Sequence, residues 1–312
     1  MPLESRIPNP KSRQLTWLVS LLDPLLALLF APQCAACHTS LATPLDGPVC
    51  QACWSAVRPI TPPICESCGD PLPSWRVASC SAQRCARCRR TVRVITRGRA
   101  IGEYDGALRQ VIHALKYDGR QSIARRLGLL MRERGRDLLD GVEWVVPVPL
   151  HPRRERERGF NQAAELARHL GLPVCSALRR VRHTVPQVEL PATRRHANVR
   201  GAFDLAAGRR GPQPGAPNAA AALGPRRGAG VPSAAPALGW PSRVGVPWRW
   251  PFAPTSPSPD LTNACVLLVD DVSTTGATLE ACARVLKEAG VREVRALTAA
   301  RVVRRRSSSL HP

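Results

Sequence analysis

The chain of 312 residues contains no run of twenty apolar residues. Its one long apolar stretch, residues 15–30, is interrupted by Asp23-Pro24 and is shorter than the ~20 residues that cross a bilayer as a helix. A signal peptide would need a small-residue cleavage site followed by a secreted domain, and a metal-suited cysteine framework follows instead. The stretch reads as a helix packed on the rest of the protein, with a peripheral membrane contact as the alternative. No membrane span and a cytoplasmic location are expected. Acidic residues are also scarce: 23 Asp+Glu stand against 45 Lys+Arg, a formal charge of +22. Eight metal-bound thiolates would lower that surplus without cancelling it. Such a charge favours polyanions: nucleic acid, anionic membrane or phosphorylated ligands. Arg greatly outnumbers Lys, as a biased genome would also produce, so basicity alone argues only weakly for nucleic acid.

Cysteine is abundant, and it is clustered. Nine of the twelve lie between Cys34 and Cys88, paired as Cys34/Cys37, Cys50/Cys53, Cys65/Cys68 and Cys85/Cys88, with Cys80 left over. Two thiolates two residues apart on a tight knuckle reach one tetrahedral metal, so four pairs satisfy two structural zinc ions. The residues between them are too poor in apolar side chains to fold unaided, and bound zinc contributes on the order of 10–16 kcal/mol in such peptides. Disulfides would require an oxidising compartment, and redox catalysis a thioredoxin-like βαβ pattern that does not surround any pair. Spacing does not decide which pairs share an ion. Consecutive use is expected, with interleaved pairing as the alternative. Cys175, Cys265 and Cys282 sit in or beside apolar elements and read as small core residues.

The sequence Val266-Leu267-Leu268-Val269-Asp270-Asp271-Val272-Ser273-Thr274-Thr275-Gly276-Ala277-Thr278 carries the chemistry. Four apolar residues predict a buried strand that stops at two carboxylates. A Ser/Thr/Gly turn then opens into a segment of helical periodicity. The N–H groups of Thr275, Gly276 and Ala277 lie at a helix start without intrahelical partners, and the helix dipole adds positive potential there. Hydroxyls of Thr274, Thr275 and Thr278 can add donors, and Gly276 admits an anion close to the main chain. Carboxylates repel phosphate, so Asp270 and Asp271 make sense if the phosphate belongs to a sugar whose cis-diol needs acceptors. The alternative is an ordinary strand with an exposed Asp pair and a helix cap. The stretch closely resembles the 5-phosphoribosyl 1-pyrophosphate (PRPP) motif of type I phosphoribosyltransferases, in which the whole strand–acid pair–turn–helix order recurs.

From Thr91 onward the pattern is α/β: a strand over 94–104, a helix over 107–115, a basic helix over 122–139 and a buried strand over 143–150. Alternation of this kind predicts a parallel sheet flanked by helices, with ligands at the carboxyl ends of its strands. Residues 151–162 then form a loop carrying Arg153, Arg154, Arg156 and Arg158, followed by a helix to about Leu170. Arginine offers permanently charged, bidentate donors for a pyrophosphate. Glu155 and Glu157 partly compensate the charge, so a solvated turn is the competing reading. Residues 208–263 are dense in Pro, Ala and Gly, with almost no acidic residue, and read as a disordered insertion. Within it Trp240, Trp248 and Trp250 alternate with Arg243 and Arg249. Such interleaving can stack on single-stranded bases, but here it reads as without function. The Arg304-Arg305-Arg306 tail reads as solvated.

Taken together, the cysteine pairs, Tyr104-Asp105-Gly106, Leu115-Lys116-Tyr117-Asp118-Gly119, Pro147-Val148-Pro149-Leu150, Arg158-Gly159-Phe160-Asn161-Gln162 and Asn198-Val199-Arg200-Gly201-Ala202-Phe203 resemble the ComF family, which includes the GntX-type proteins. The resemblance spans the chain except about 206–262. It implies a type I phosphoribosyltransferase-like α/β fold behind a zinc module, with an apolar helix over 1–33 and the module over 34–90. The catalytic-type domain would be split into 91–205 and 263–304. PRPP would bind at Asp270, Asp271, Ser273, Thr274, Thr275, Gly276, Ala277 and Thr278, with Mg²⁺. Residues 149–162, with Arg153, Arg154, Arg158 and Gly159, would be the pyrophosphate loop. Residues 182–203, with Gln187, Arg195 and Asn198, would form a hood. The family is associated with uptake of single-stranded DNA in natural transformation. One departure stands out: purine-salvage members of the wider fold carry a carboxylate where this chain has Thr274, which cannot act as a base near neutral pH. Two readings therefore stay open, a phosphoribosyltransferase with an unknown acceptor and a non-catalytic DNA-binding adaptor that senses PRPP.

Overall fold

A computed structural model describes residues 30–72, 83–117, 119–182, 184, 192–206 and 259–303. Most of the apolar stretch, Cys80, Gln187, the tryptophan-bearing part of the insertion and the arginine tail lie outside the described residues. The helices are α1 (Gln51–Ser55), α2 (Ala86–Arg90), α3 (Gly106–Tyr117), α4 (Ser122–Arg134), α5 (Arg136–Leu139), α6 (Pro152–Arg158), α7 (Gln162–Ala167), α8 (Ala192–Asn198) and α9 (Ala277–Glu288). The strands are β1 (Arg97–Glu103), β2 (Trp144–Pro147), β3 (Leu178–Arg180), β4 (Phe203–Leu205), β5 (Cys265–Ser273) and β6 (Glu293–Arg301).

Four strands form one parallel sheet in the order β1-β6-β5-β2. Its central strands are buried on both faces, which is why their apolar residues run consecutively rather than alternate with polar ones. Leu267 and Val269 of β5 enter a core with Leu108, Ile112, Leu127 and Leu166 from α3, α4 and α7. Val266 and Leu268 enter the opposite core with Leu279, Ala283 and Leu286 of α9. The short antiparallel pair β3–β4 extends that second layer.

Several elements differ from the sequence-based expectation. The strand expected to end at Asp270 continues to Ser273, because β6 keeps pairing with it through Asp270↔Thr298, Val272↔Ala300 and Ser273↔Arg301. The basic helix of 122–139 is two helices broken at Gly135, where a Cβ would fall 2.8 Å from a Leu297 methyl, so the backbone rests directly on the sheet. The arginine loop contains helix α6. Pro152 is suited to the first turn, His151 accepts from the Arg153 N–H, Arg153 pairs with Glu157 one turn on, and Gly159 ends the helix with φ 79°.

Two similar zinc-type knuckles precede the sheet. In each, a residue four positions after the first cysteine has a left-handed backbone, His38 at φ 62° and Gly69 at φ 71°. A short helix starts within each second pair and contains its second cysteine: α1 begins after Cys50, whose sulfur accepts from the Cys53 N–H, and α2 begins after Cys85. The first ribbon is part of the main core: Leu41, Val49, Trp54 and Val57 pack with Leu108 and Ile112. The second forms its own small cluster of Cys65, Cys68, Leu72 and Cys88. Among the described residues no helix is long and apolar enough to cross a membrane.

Candidate functional site

Asp270 and Asp271 lie at the carboxyl end of the central strand β5, half-buried, with cations on both flanks. Lys116, on the last turn of α3, places Nζ 3.0 Å from Asp271 Oδ1. Because α3 starts where β1 ends and its last turn meets β5, it lies across the carboxyl edge of the sheet. Burial alone would lower the Lys116 pKa, but Asp271, with Asp270 behind it, holds it above the ordinary lysine value. Asp270 Oδ1 accepts from the Asp271 N–H at 2.9 Å. Burial, and then the neighbouring Asp271 charge, push the Asp270 carboxyl up to about 7, against the pull of Lys116 and Arg180.

Arg180, on β3, supplies the second flank. Its guanidinium donates to the Thr184 hydroxyl, while Arg154 of α6 donates to the Thr184 carbonyl at 3.4 Å. Burial and then the proximity of Arg154 lower the Arg180 pKa, and Asp270 opposes them. Two arginines tied to one threonine beside an acid form a cationic corner suited to an anion. The four loop arginines therefore part company. Arg154 turns to this corner, and Arg158 meets Gln162 at 2.9 Å and the Tyr117 ring at 5.2 Å. Arg153 spends its charge on Glu157 in solvent, and Arg156 is exposed. Asn161 fixes the end of the segment by donating to the Val148 carbonyl at 3.1 Å and capping α7.

The turn after the acids joins β5 to α9. Ser273, Thr275 and Ala277 are buried, and Thr274 and Thr278 are half-buried. Gly276 caps α9 with φ 78°, a conformation costly to a side chain. The Ala277 N–H already has a weak partner in Thr275 Oγ1 at 3.4 Å, a difference from the sequence-based picture of three unpartnered donors. Ser273 Oγ is buried without a hydrogen-bond partner. Of the residues expected to form a hood, Arg195 and Asn198 lie on α8, and Gln187 lies outside the described residues.

The eight paired cysteines gather into two groups, Cys34/Cys37/Cys50/Cys53 and Cys65/Cys68/Cys85/Cys88, with all four sulfurs of each group within 4.8 Å of one another. Backbone N–H groups point at the sulfurs: Cys50 N to Cys34 Sγ at 3.3 Å and Cys85 N to Cys65 Sγ at 3.2 Å. Donors aimed at sulfur stabilise thiolates around a metal, so the residues fit four-thiolate zinc.

Residues 25–89 match the double zinc ribbon domain family. Residues 156–312, half of the chain, match the phosphoribosyl transferase domain family. Competence protein F of Haemophilus influenzae is 27% identical over 272 residues, covering 84% of this chain and 93% of the relative. DNA utilization protein YhgH of Salmonella typhimurium is 33% identical over 185 residues, 55% of this chain and 77% of the relative. Its Escherichia coli counterpart is 32% identical over the same shares. The chain belongs to the ComF family. Like the family's architecture, this ComF chain joins structural zinc ribbons to an α/β phosphoribosyltransferase-type domain. In the sequence Lys116 stands out only as part of a family motif, and Arg180 not at all. Nothing in local periodicity announces that a helix end and a distant edge strand converge on Asp270 and Asp271.

Proposed function

We propose that this ComF-family chain binds Mg²⁺-PRPP at the carboxyl edge of its sheet and serves DNA uptake and natural transformation in the cytoplasm. The carrying observation is the acid pair of β5, flanked by Lys116 and Arg180 and followed directly by the Ser273–Ala277 turn, buried except for half-buried Thr274. Asp270 and Asp271 accept hydrogen bonds from the ribose diol. The 5-phosphate sits on main-chain N–H groups of Thr275, Gly276 and Ala277 and on hydroxyls of Ser273, Thr274, Thr275 and Thr278. Arg154 and Arg180, with Arg158 and the Arg153–Gly159 segment beside them, receive the pyrophosphate, and the hood with Gln187, Arg195 and Asn198 covers the site. Mg²⁺ on the pyrophosphate supplies further charge neutralisation.

In the transfer reading, an acceptor forms a bond to ribose C1 while the C1–O bond to pyrophosphate breaks, and pyrophosphate leaves with the electron pair. Arg154 and Arg180 stabilise the charge that develops on it. Thr274 supplies no base, so the acceptor is one that needs none at this position. That same threonine favours the second reading, a non-catalytic adaptor on single-stranded DNA that senses PRPP.

Calorimetric titration with Mg²⁺-PRPP tests the common premise, and indifference to millimolar PRPP would remove it. Pyrophosphate release, with and without candidate acceptors, separates the readings. Turnover abolished by Asp270→Asn supports transfer, whereas binding without turnover supports the sensor. Single-stranded DNA affinity should fall steeply as salt rises from 50 to 200 mM, about −0.7 in log–log slope per phosphate contacted. Absence of binding at low salt would strike DNA from the proposal.

A further inference from the structure

The second zinc ribbon is joined to the back of the phosphate turn. Arg87, in α2 between Cys85 and Cys88, donates from Nη1 to the Thr275 carbonyl at 3.2 Å. The remaining guanidinium nitrogens, Nε and Nη2, are buried without hydrogen-bond partners, with Asp70 Oδ2 3.7 Å from Nη2. Asp70 also accepts from Arg301, which donates to the Cys68 carbonyl at 2.9 Å. The knuckle, the end of β6 and the turn after β5 thus share one polar corner.

The direction of that contact matters. A trans peptide unit points its C=O and N–H to opposite sides. The Thr275 carbonyl and the Gly276 N–H belong to one unit, so a cation holding the carbonyl toward the ribbon turns the Gly276 N–H away from that cation. Gly276 is free to take either orientation, since its φ of 78° lies where glycine has no preference of sign. Arg93 Nη1 lies 3.5 Å from where a Gly276 side chain would begin, but Arg87 is the group that hydrogen-bonds this peptide unit's carbonyl.

We propose that Arg87 is a positioning residue for the phosphate turn, so that zinc at Cys65, Cys68, Cys85 and Cys88 governs affinity for a sugar phosphate bound there. Its consequence for PRPP rests on the function proposed above; its consequence for the turn does not. Zinc would hold α2 at Cys85, just before its first residue, and at Cys88 within it. Release of the metal frees the helix and with it the grip on Thr275. The ribbon is therefore part of the binding site without touching the ligand.

The test uses the full zinc-loaded chain with Arg87→Met, Arg87→Lys and, as a control on the same helix, Arg89→Met, an exposed residue. Amide hydrogen exchange over residues 273–279 without ligand reads the turn directly. Calorimetry with Mg²⁺-PRPP reads affinity, and metal analysis reads zinc. Arg87→Met is expected to keep its zinc, to exchange about tenfold faster in the turn and to bind PRPP about tenfold more weakly, the effect of one hydrogen bond from a charged donor. Arg87→Lys should recover part of both losses and Arg89→Met should change neither. Wild-type exchange in Arg87→Met would overturn the proposal, as would an equal effect from Arg89→Met. If the unaltered chain ignores PRPP, the function proposed above falls, while the exchange comparison still decides the role of Arg87. Should Arg87→Met lose zinc or fail to fold, Cys88→Ser, which opens the knuckle and leaves Arg87 in place, must by itself speed exchange over 273–279; unchanged exchange there overturns the proposal.

Discussion

Two adjacent aspartates at one strand end face different partners, and that asymmetry separates their roles. Asp271 is paired with Lys116 at 3.0 Å, both side chains largely buried. Asp271→Asn leaves an ammonium without its nearest counter-charge and should cost about 2–3 kcal/mol, somewhat below the usual figure for a broken buried pair because Asp270 remains close. Asp270→Asn removes the like charge that presses on Asp271 and should cost nothing in stability. Denaturant titration of the two variants should diverge in this way while PRPP affinity falls in both. The raised Asp270 pKa also fixes a pH dependence. Its folded value of about 7 lies above the ordinary carboxylate value, so the folded state binds this proton more tightly. The associated stability is present below about pH 4 and is lost as pH rises through 7. The ionised carboxylate accepts from ribose hydroxyls more strongly and at both oxygens, so PRPP affinity should run the opposite way and climb through about pH 7. Asp271, Lys116 and Arg180 face this carboxyl, and Asp270→Asn should flatten the calorimetric profile.

At the scale of elements, the strand–turn–helix of 265–288 could be read from residue order because each part is local: an apolar run, small hydroxylated residues, then helical periodicity. The length of β5 was not, since what carries it past Asp270 is pairing with β6, a contact made after folding. The same holds for α6. Four arginines and two glutamates look like a solvated loop until Pro152, the Arg153–Glu157 pair and Gly159 are weighed as start, middle and end of a helix. Lys116 and Arg180 were hidden for a further reason: their meaning depends on tertiary placement at the acid pair. Glu280 is a similar case, an acidic residue in the first turn of α9. In the fold it is 5% exposed, and it receives Arg93 Nη1 at 3.0 Å and the Val94 N–H at 3.1 Å, pinning the segment after the second ribbon to α9. Glu280→Gln can keep the bond to Val94 but leaves Arg93, 11% exposed, without its charge partner. A loss of about 2–4 kcal/mol is expected in denaturant unfolding, and Arg93→Met with Glu280→Gln together should cost less than the two changes summed.

Over the whole molecule, the two ribbons are similar in local build and differ in how they join the α/β domain. The first buries Trp54 and Val57 in the core that also contains Leu108, Ile112 and Leu267, and Arg126 of α4 lies over the Trp54 ring at 4.8 Å. The second keeps its own cluster and meets the domain through polar contacts of Arg87, Arg93 and Arg301. Metal loss should therefore have unequal consequences. Opening the first knuckle with Cys53→Ser removes the metal that orders an apolar wall of the central core. Leu108 and Ile112 lie on α3, the helix whose last turn carries Lys116, so the defect reaches the acid pair as well. This variant should unfold at a lower temperature in a single transition, with PRPP affinity lost in step. Opening the second knuckle with Cys88→Ser exposes little of the main core. It should leave the principal calorimetric transition within a few degrees of the unaltered chain, since about 1 kcal/mol moves the midpoint of a domain this size by about 2–4 °C. Two variants with equal depression of the main transition would contradict this division between a ribbon that is part of the core and one that is fastened to it by charge.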